Sequence, residues 1–242
     1  MTVGILLASD GVVDMIKGLH SYEVFGQTVW ITTSHVCIAI VWLSLVIFSI
    51  IANKRLKHAT EVPDGFQNVL ELMVSLLDGI VEGSMGKHAK VFGNWICTIF
   101  CFILVSNLSG LVGLRPPTAD YGTTLALALI TFVCIHVVKV RHSTAKEIWI
   151  DKCSPMPPWL PLWMPINIIS DIAVPISMSL RLFANVLSGT IIMGLVYGLL
   201  GKFAIVWPAA LHVYFDIFSG AIQTYVFCML TMTYINSSYG DN

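Results

Sequence analysis

Charged side chains are scarce in this chain, and the few present nearly cancel. Asp, Glu, Lys and Arg make up 11% of the 242 residues, and the net charge is −1. A soluble domain carries about 25% charged residues, and a nucleic-acid-binding protein has a basic surface. The composition therefore excludes an ordinary soluble domain and gives no indication of a nucleic-acid partner. With 56% hydrophobic residues, the sequence indicates an integral membrane protein.

The sequence also lacks the motifs of several enzyme and cofactor classes. It contains no GxxxxGK[ST] phosphate loop, no HExxH zinc motif and no GxSxG nucleophile motif. The cysteines are scattered, and we interpret Cys97 and Cys101, one helical turn apart, as packing residues rather than disulfide or metal ligands. No basic region with a cleavage site precedes the first apolar run, so a cleaved signal peptide is not expected. The sequence predicts no catalytic residue, no cofactor and no metal.

Long apolar runs occupy most of the remaining chain. A helix needs about 20 apolar residues to cross the hydrocarbon core of a bilayer. Because the last two runs are much longer than this, we expect them to be tilted or to lie partly in the interface. The sequence predicts an all-α membrane protein with about five crossings, formed by residues 31–52, 91–114, 122–140, 159–200 and 203–235.

One further segment, residues 66–85, has a different pattern. Polar residues recur there every three or four positions opposite an apolar face, which is typical of an amphipathic helix. Such a helix lies on the membrane surface or packs its polar face against other helices. The polar face consists of Asn68, Glu71, Ser75, Asp78 and Glu82.

The distribution of basic residues predicts the orientation. Cytoplasmic segments of membrane proteins carry an excess of Lys and Arg. If residues 1–30 are external, most basic residues of the loops fall inside, and five crossings bring the carboxyl terminus into the cytoplasm. The residues placed inside are Lys54, Arg55, Lys57, Lys87, Lys90, Lys139, Arg141, Lys146 and Lys152.

Arg181 is the only charged residue between Ile172 and Gly201. An isolated arginine at bilayer depth costs about 3 kcal/mol on insertion scales, and such residues usually mark an ion path. Because a guanidinium does not lose its proton at working pH, Arg181 can attract or repel charge but cannot relay protons. A carboxylate can relay them.

Polar residues form one stripe on each of the last two runs at whole-turn spacing. We interpret the first as a permanently charged barrier and the second as part of an access channel for protons or sodium ions. The first stripe is Asn167, Ser170, Ser177, Arg181, Asn185 and Ser188, and the second is His212, Asp216, Ser219, Gly220 and Gln223.

Structural interpretations of these residues stay open at this point. Serines such as Ser177 and Ser219 often serve helix packing in membranes. Arg181 and Asp216 are able to form a salt bridge with each other between adjacent helices. His212 is either a core histidine or a residue of the ion path.

Four segments resemble subunit a of the F-type ATP synthase membrane sector, and the similarity runs from about residue 31 to 236. They are PINIISDIAVP, SLRLFANVLSGT around Arg181, RPPTADYGTTLALAL, and the terminal FDIFSGAIQTYVFCMLTMTYI. The resemblance implies five spans, an interfacial second helix, and two long slanted helices lying against a rotating ring of helical hairpins.

The resemblance also implies a function and a set of partners. Such a subunit is a non-catalytic stator that conducts protons through two half-channels to and from the c-ring, coupling ion flow to ATP synthesis. Its partners are the c-ring subunits, the peripheral-stalk b subunits and, through them, the catalytic head, all within a lipid bilayer. Coupling to sodium instead of protons stays open. A bacterial plasma membrane is expected, with an organelle of bacterial origin as the alternative.

The resemblance implies five residues for ion translocation. Arg181 matches the family's essential arginine, Asn185 the asparagine one turn later, and Gln223 the glutamine on the last helix that approaches the arginine. Asp216 matches a position in the outer half-channel, and Asp171 an acidic position toward the inner half-channel.

The family pattern is not matched everywhere. Relatives often carry a titratable residue nine positions after the arginine, where this chain has Thr190, and a second acidic residue at Ser170. Asp120 is expected near the mouth of the outer path, with His212, Thr190 and Ser177 as further candidates.

Two competing classes remain. One is a stand-alone ion channel or secondary transporter that uses Arg181 as a selectivity charge. The other is a haem-binding membrane anchor, which would need a facing pair among His35, His136 and His212.

Overall fold

The computed structural model describes residues 20–24, 27–31, 33–57, 65–112, 114–143, 164–200 and 210–239. A short antiparallel hairpin comes first in these ranges, and the rest is almost entirely helical. The predicted all-α membrane class is confirmed, because five helical segments are long and apolar enough to cross a bilayer. The hairpin was not predicted; it pairs β1 (His20–Val24) with β2 (Gln27–Ile31).

The helices begin and end close to the apolar runs that predicted them. Residues 159–163 and 203–209 of the last two predicted runs lie outside the described residues. The helices are α1 (Thr33–Leu56), α2 (Gly65–Met85), α3 (Ala89–Leu108), α4 (Tyr121–His142), α5 (Met164–Leu200) and α6 (Gly220–Ser237).

The turn between α3 and α4 follows from its prolines. Pro116 and Pro117 cannot continue an α-helix, and a 3₁₀ turn, Pro117–Ala119, stands between the two helices. Asp120 then precedes the first turn of α4 and accepts backbone hydrogen bonds from Thr123 and Thr124. The chain therefore reverses here, and α3 and α4 form the hairpin that the sequence predicts.

The core lies where α3, α4, α5 and α6 meet. Ile103, Ala128, Leu182 and Met232, one from each helix, are all fully buried. In a membrane such packing depends on close van der Waals contact, because lipid offers the same apolar surroundings. Much of the apolar surface of α1 and α5, in contrast, is exposed, so it is available to lipid or to partner subunits.

Helix α2 is only partly covered by the rest of the chain. Leu70 and Val81 are buried, but Val69 and Leu76 are exposed, as is Asp78 of the polar face. Whether this helix lies at the membrane interface stays a prediction.

The last span, Ala210–Ser237, departs from regular helix in one place. Its residues Val213–Ser219 form a π-helical stretch, in which hydrogen bonds run from i to i+5. Since each turn of a π-helix holds more residues, each residue advances by less than the 100° of an α-helix. Asp216 therefore faces a direction, relative to Gln223, that regular helical geometry does not give.

Candidate functional site

The two predicted polar stripes lie against each other across α5 and the last span. Ser219 Oγ donates a hydrogen bond of 2.6 Å to Asn185 Oδ1. One turn further along α5, a Cβ built on Gly189 would lie 3.5 Å from Phe215 Cβ. The two contacts move in opposite directions along the sequence, so the helices are antiparallel. Continued by one turn, this register puts residue 223 at the level of residue 181.

A cavity of about 270 Å³ opens beside this contact, and we call it the Asp216 cavity. Its wall is formed by α5, the π-helical stretch, the end of α3 and the proline turn. Glycine and apolar side chains make up part of the lining. The polar residues that line it are Asn107, Arg115, Asn185, Thr190, His212 and Asp216.

Asp216 pairs with a histidine of its own span. Its Oδ2 lies 2.7 Å from His212 Nδ1, and His212 Nε2 lies 3.4 Å from the Tyr197 hydroxyl. The Asp216 side chain is 21% exposed and that of His212 35%, so both reach the cavity while packed against protein. A carboxylate and an imidazole in direct contact can exchange a proton with each other and with water.

Thr190 lines the same cavity as Asp216. Its hydroxyl donates to the Leu187 carbonyl of its own helix at 2.8 Å. It therefore faces the last span, although it carries no titratable group. Asp120, just before α4, is not among the described residues that line this cavity.

Arg181 has surroundings unlike those of Asp216. It is exposed on α5, and within the described ranges no carboxylate lies within 4 Å of its guanidinium. Arg181 and Asp216 therefore do not form the salt bridge that the sequence analysis left open as a possibility. Gln223 lies at the level of Arg181 but is buried, 9% exposed, and its Nε2 has no hydrogen-bond partner among the described residues.

A second cavity, of about 170 Å³, lies toward the start of α5, and we call it the Asp171 cavity. Asp171 precedes Arg181 by ten residues, or about 15 Å along the helix axis. Ser177, between them, is exposed. The polar residues around the cavity are His136, Lys139, Ser170, Asp171, Tyr234, Ser237 and Ser238.

The sequence reasoning missed several residues in or beside the two cavities. Lys139 and Tyr234 line the Asp171 cavity and Tyr197 contacts His212, but nothing in their spacing connects them to Asp171 or Asp216. Arg115 stands in the RPPTADYG motif, which could have identified it. Asn107 was missed because a lone polar residue in an apolar run has the same pattern as a packing residue.

Two of the three histidines of the haem interpretation lie apart. His136 lines the Asp171 cavity and His212 the Asp216 cavity, so these two do not form a facing pair. Within the described ranges no group of three or more His, Cys, Asp or Glu side chains is arranged to hold a metal ion.

Comparison with known proteins gives a consistent result. The sequence model of the family described as ATP synthase A chain matches residues 35–236. The chain is 34% identical over 217 residues to the sodium ion specific ATP synthase subunit a of Propionigenium modestum, covering 83% of this chain and 72% of that protein.

The match to two further relatives covers a larger share of the relative's length. ATP synthase subunit a of Citrifermentans bemidjiense is 37% identical over 200 residues, covering 82% of this chain and 84% of that protein. ATP synthase subunit a 1 of Pelobacter propionicus is 33% identical over 225 residues, covering 93% and 92%.

Proposed function

The chain belongs to the ATP synthase A chain family, and we propose that it is the ion-conducting stator subunit of an F-type ATP synthase, with one half-channel at each cavity. The observation that carries the proposal is the position of Arg181. It stands exposed on α5 between the Asp171 cavity and the residues of the Asp216 cavity. A fixed charge between two polar cavities separates two ion paths.

The Asp216 cavity is the half-channel from the outside. Arg115 lines it, and the positive-inside distribution leaves Arg115 on the external side. Asp216 accepts a proton from water in the cavity and passes it toward the c-ring, assisted by the contact of 2.7 Å with His212. The proton then neutralises a carboxylate of the ring, which can move through lipid once it is uncharged.

The Asp171 cavity is the half-channel to the cytoplasm. Lys139 lines it, and Lys139 and Arg141 stand in the last, basic turn of α4. That turn belongs to the cytoplasmic side on the same rule. A ring carboxylate that arrives here loses its proton beside Asp171 and becomes negatively charged.

Arg181 separates the two paths by its charge. Because it is exposed at bilayer depth, it needs an anionic partner from outside the chain, and the ring carboxylate supplies one. The charged carboxylate passes Arg181 favourably, whereas a free cation moving directly between the cavities is repelled. Ions therefore cross only by way of the rotating ring.

The remaining chemistry belongs to other subunits. The chain itself makes no covalent bond in this mechanism; the catalytic head, held through the peripheral-stalk b subunits, makes ATP. One relative is named as sodium ion specific, but here the transported ion is proposed to be the proton, because His212 contacts Asp216 and an imidazole carries protons rather than sodium.

The test compares Arg181→Ala with the wild type in the assembled complex. ATP-driven proton pumping and passive proton leak are measured in inverted vesicles, and co-purification of the ring checks assembly. Arg55→Ala, at the exposed end of α1, serves as the matched control.

We expect Arg181→Ala to abolish pumping and to increase leak while Arg55→Ala pumps normally. Normal pumping by Arg181→Ala would show that the charge is structural. Ion flux through the purified chain without a ring would favour the stand-alone channel instead.

A further inference from the structure

A buried asparagine at the end of α3 joins three separate elements. Asn107 is 4% exposed, and its Nδ2 donates to the Gly220 carbonyl at 3.1 Å and to Thr224 Oγ1 at 3.3 Å. Its Oδ1 accepts a hydrogen bond of 2.8 Å from Thr118 Oγ1, in the proline turn. One side chain thus connects α3, the turn and the start of α6.

The hydrogen bonds determine which way the amide of Asn107 points. The Thr224 hydroxyl donates to the Gly220 carbonyl at 2.8 Å, so it has only lone pairs left for Asn107. Both neighbours on that side are acceptors, and only the NH₂ group satisfies them. The amide oxygen must therefore face Thr118, which leaves a single orientation. Thr118 and Thr224 are fully buried.

Close packing holds the helices at this point. A Cβ on Gly220 would lie 3.1 Å from Asn107 Cβ, which is tighter than normal contact, so glycine fits this position without displacing Asn107. Small residues allow membrane helices to approach in this way. Asn107 and Gly220 are in direct backbone-to-side-chain contact as a result.

This contact lies at the boundary of the π-helical stretch. The stretch ends at Ser219, and Gly220 begins α6. Three residues after Asn107, a Cβ on Gly110 would lie 3.4 Å from the Asp216 carboxyl carbon. The segment that holds Gly220 therefore also forms the surface against which the Asp216 carboxylate rests.

We propose that Asn107, fixed by Thr118 and Thr224, is a positioning residue that sets the rotation of the π-helical stretch and so holds Asp216 in its cavity. This inference rests on the proposed function for its consequence, ion transfer at Asp216. Its structural part, the placement of the stretch, does not depend on that function. Asn107, Thr118 and Thr224 act as one unit, which we call the Asn107 clamp.

A disulfide between α5 and the π-helical stretch measures this placement. A Cβ built on Gly189 lies 3.5 Å from Phe215 Cβ. This separation suits a disulfide, whose two Cβ atoms lie about 3.5–4.5 Å apart. The pair Gly189→Cys with Phe215→Cys is introduced into a background without the native cysteines. The rate of copper-catalysed disulfide formation is then measured in membranes containing the assembled complex.

The clamp is tested by a matched pair of substitutions on α6. Thr224→Val removes a hydroxyl that bonds to the carbonyl four residues back and also accepts from Asn107. Thr231→Val removes a hydroxyl that, among the described residues, bonds only to the Phe227 carbonyl. Both positions are buried, at 0% and 1% exposed, so the two substitutions differ mainly in the clamp.

We expect Thr224→Val to slow disulfide formation at least about fivefold, the ratio that corresponds to about 1 kcal/mol for one lost hydrogen bond. Asn107→Leu should slow it further, and Thr231→Val should leave the rate unchanged. Equal rates in all variants, an equal slowing by Thr231→Val, or no disulfide with the clamp intact would each overturn the proposal.

The result is separable from the proposed function. Cross-linking needs no ion flow, so the clamp can be established in a protein that does not pump. In the complex with native Gly189 and Phe215, Thr224→Val should reduce ATP-driven pumping while Thr231→Val retains it. Slow cross-linking with normal pumping would contradict the part of the proposal that concerns Asp216.

Discussion

Arg181 and Asp216 are both charged residues within apolar membrane spans, and the chain surrounds them in opposite ways. Asp216 rests against Gly110, contacts His212 at 2.7 Å and lines a cavity. Arg181 is exposed and, in the part of the chain that the structure describes, has no ion-pair partner. The contacts of Asp216 are therefore internal, whereas Arg181 is available to a partner such as the ring carboxylate that we propose for it.

This difference predicts different consequences of substitution. Changes near Asp216 should act through the geometry of this chain and be graded by the contacts that they remove. A change at Arg181 should act through the ring and leave the internal packing intact. Asp216→Asn, His212→Ala and Ser219→Ala test the first expectation, in order of decreasing effect, and Arg181→Ala tests the second.

The largest effect in the enclosed region is expected from Asp216→Asn. An amide cannot take up and release a proton in this cavity, and losing a general acid–base group typically costs about 100-fold or more. ATP-driven pumping should fall below detection while the ring still co-purifies. Asp78→Asn, on the exposed face of α2, is the control and should pump normally. Pumping that survives Asp216→Asn would mean that the proton takes another route.

His212→Ala should have a smaller effect. It removes the contact of 2.7 Å to Asp216 but leaves the carboxylate, so we expect about a fivefold loss of pumping, as for one hydrogen bond. His212→Gln retains a hydrogen-bonding side chain and should recover part of the rate. A loss as complete as that of Asp216→Asn would give His212 an essential role, which the proposed mechanism does not assign to it.

Ser219→Ala should have the smallest measurable effect. It removes the hydrogen bond of 2.6 Å to Asn185, the contact that joins the two polar stripes, without changing any charge. We expect a loss of at most about fivefold. Ser179→Ala, which removes a buried hydroxyl that donates to the Ile176 carbonyl of the same helix, is the matched control and should pump normally. Equal losses would indicate that packing, not the connection between the stripes, is responsible.

Much of the fold could be predicted because bilayer thickness fixes the length of a spanning helix. Runs such as 31–52 and 122–140 correspond closely to α1 and α4. The charge of Arg181 in an apolar run identified a candidate site without any structure. Whole-turn spacing correctly brought Asn185 and Ser219 to facing surfaces, although Ser219 is the last residue of the π-helical stretch.

The remaining features depend on contacts between distant segments. Nothing in the sequence from Val213 to Ser219 distinguishes a π-helix from an α-helix. Asn107 and Thr118 are hydrogen-bonded only because α3 and the proline turn fold back on each other. The pairing of Asp216 with His212 is local, four residues apart on one span, but the packing of Asp216 against Gly110 depends on how the end of α3 meets that span. The hairpin of β1 and β2 lies almost entirely within residues 1–30, where no apolar run indicated any structure.

The most direct test of the two-path account is the side from which each cavity can be reached. Single cysteines replace Thr190, which lines the Asp216 cavity, and Ser170, which lines the Asp171 cavity, in a background without the native cysteines. A membrane-impermeant thiol reagent is then applied to right-side-out and to inverted vesicles. The account predicts that Thr190→Cys reacts only from outside and Ser170→Cys only from the cytoplasmic side. Reaction of both cysteines from the same side would contradict it.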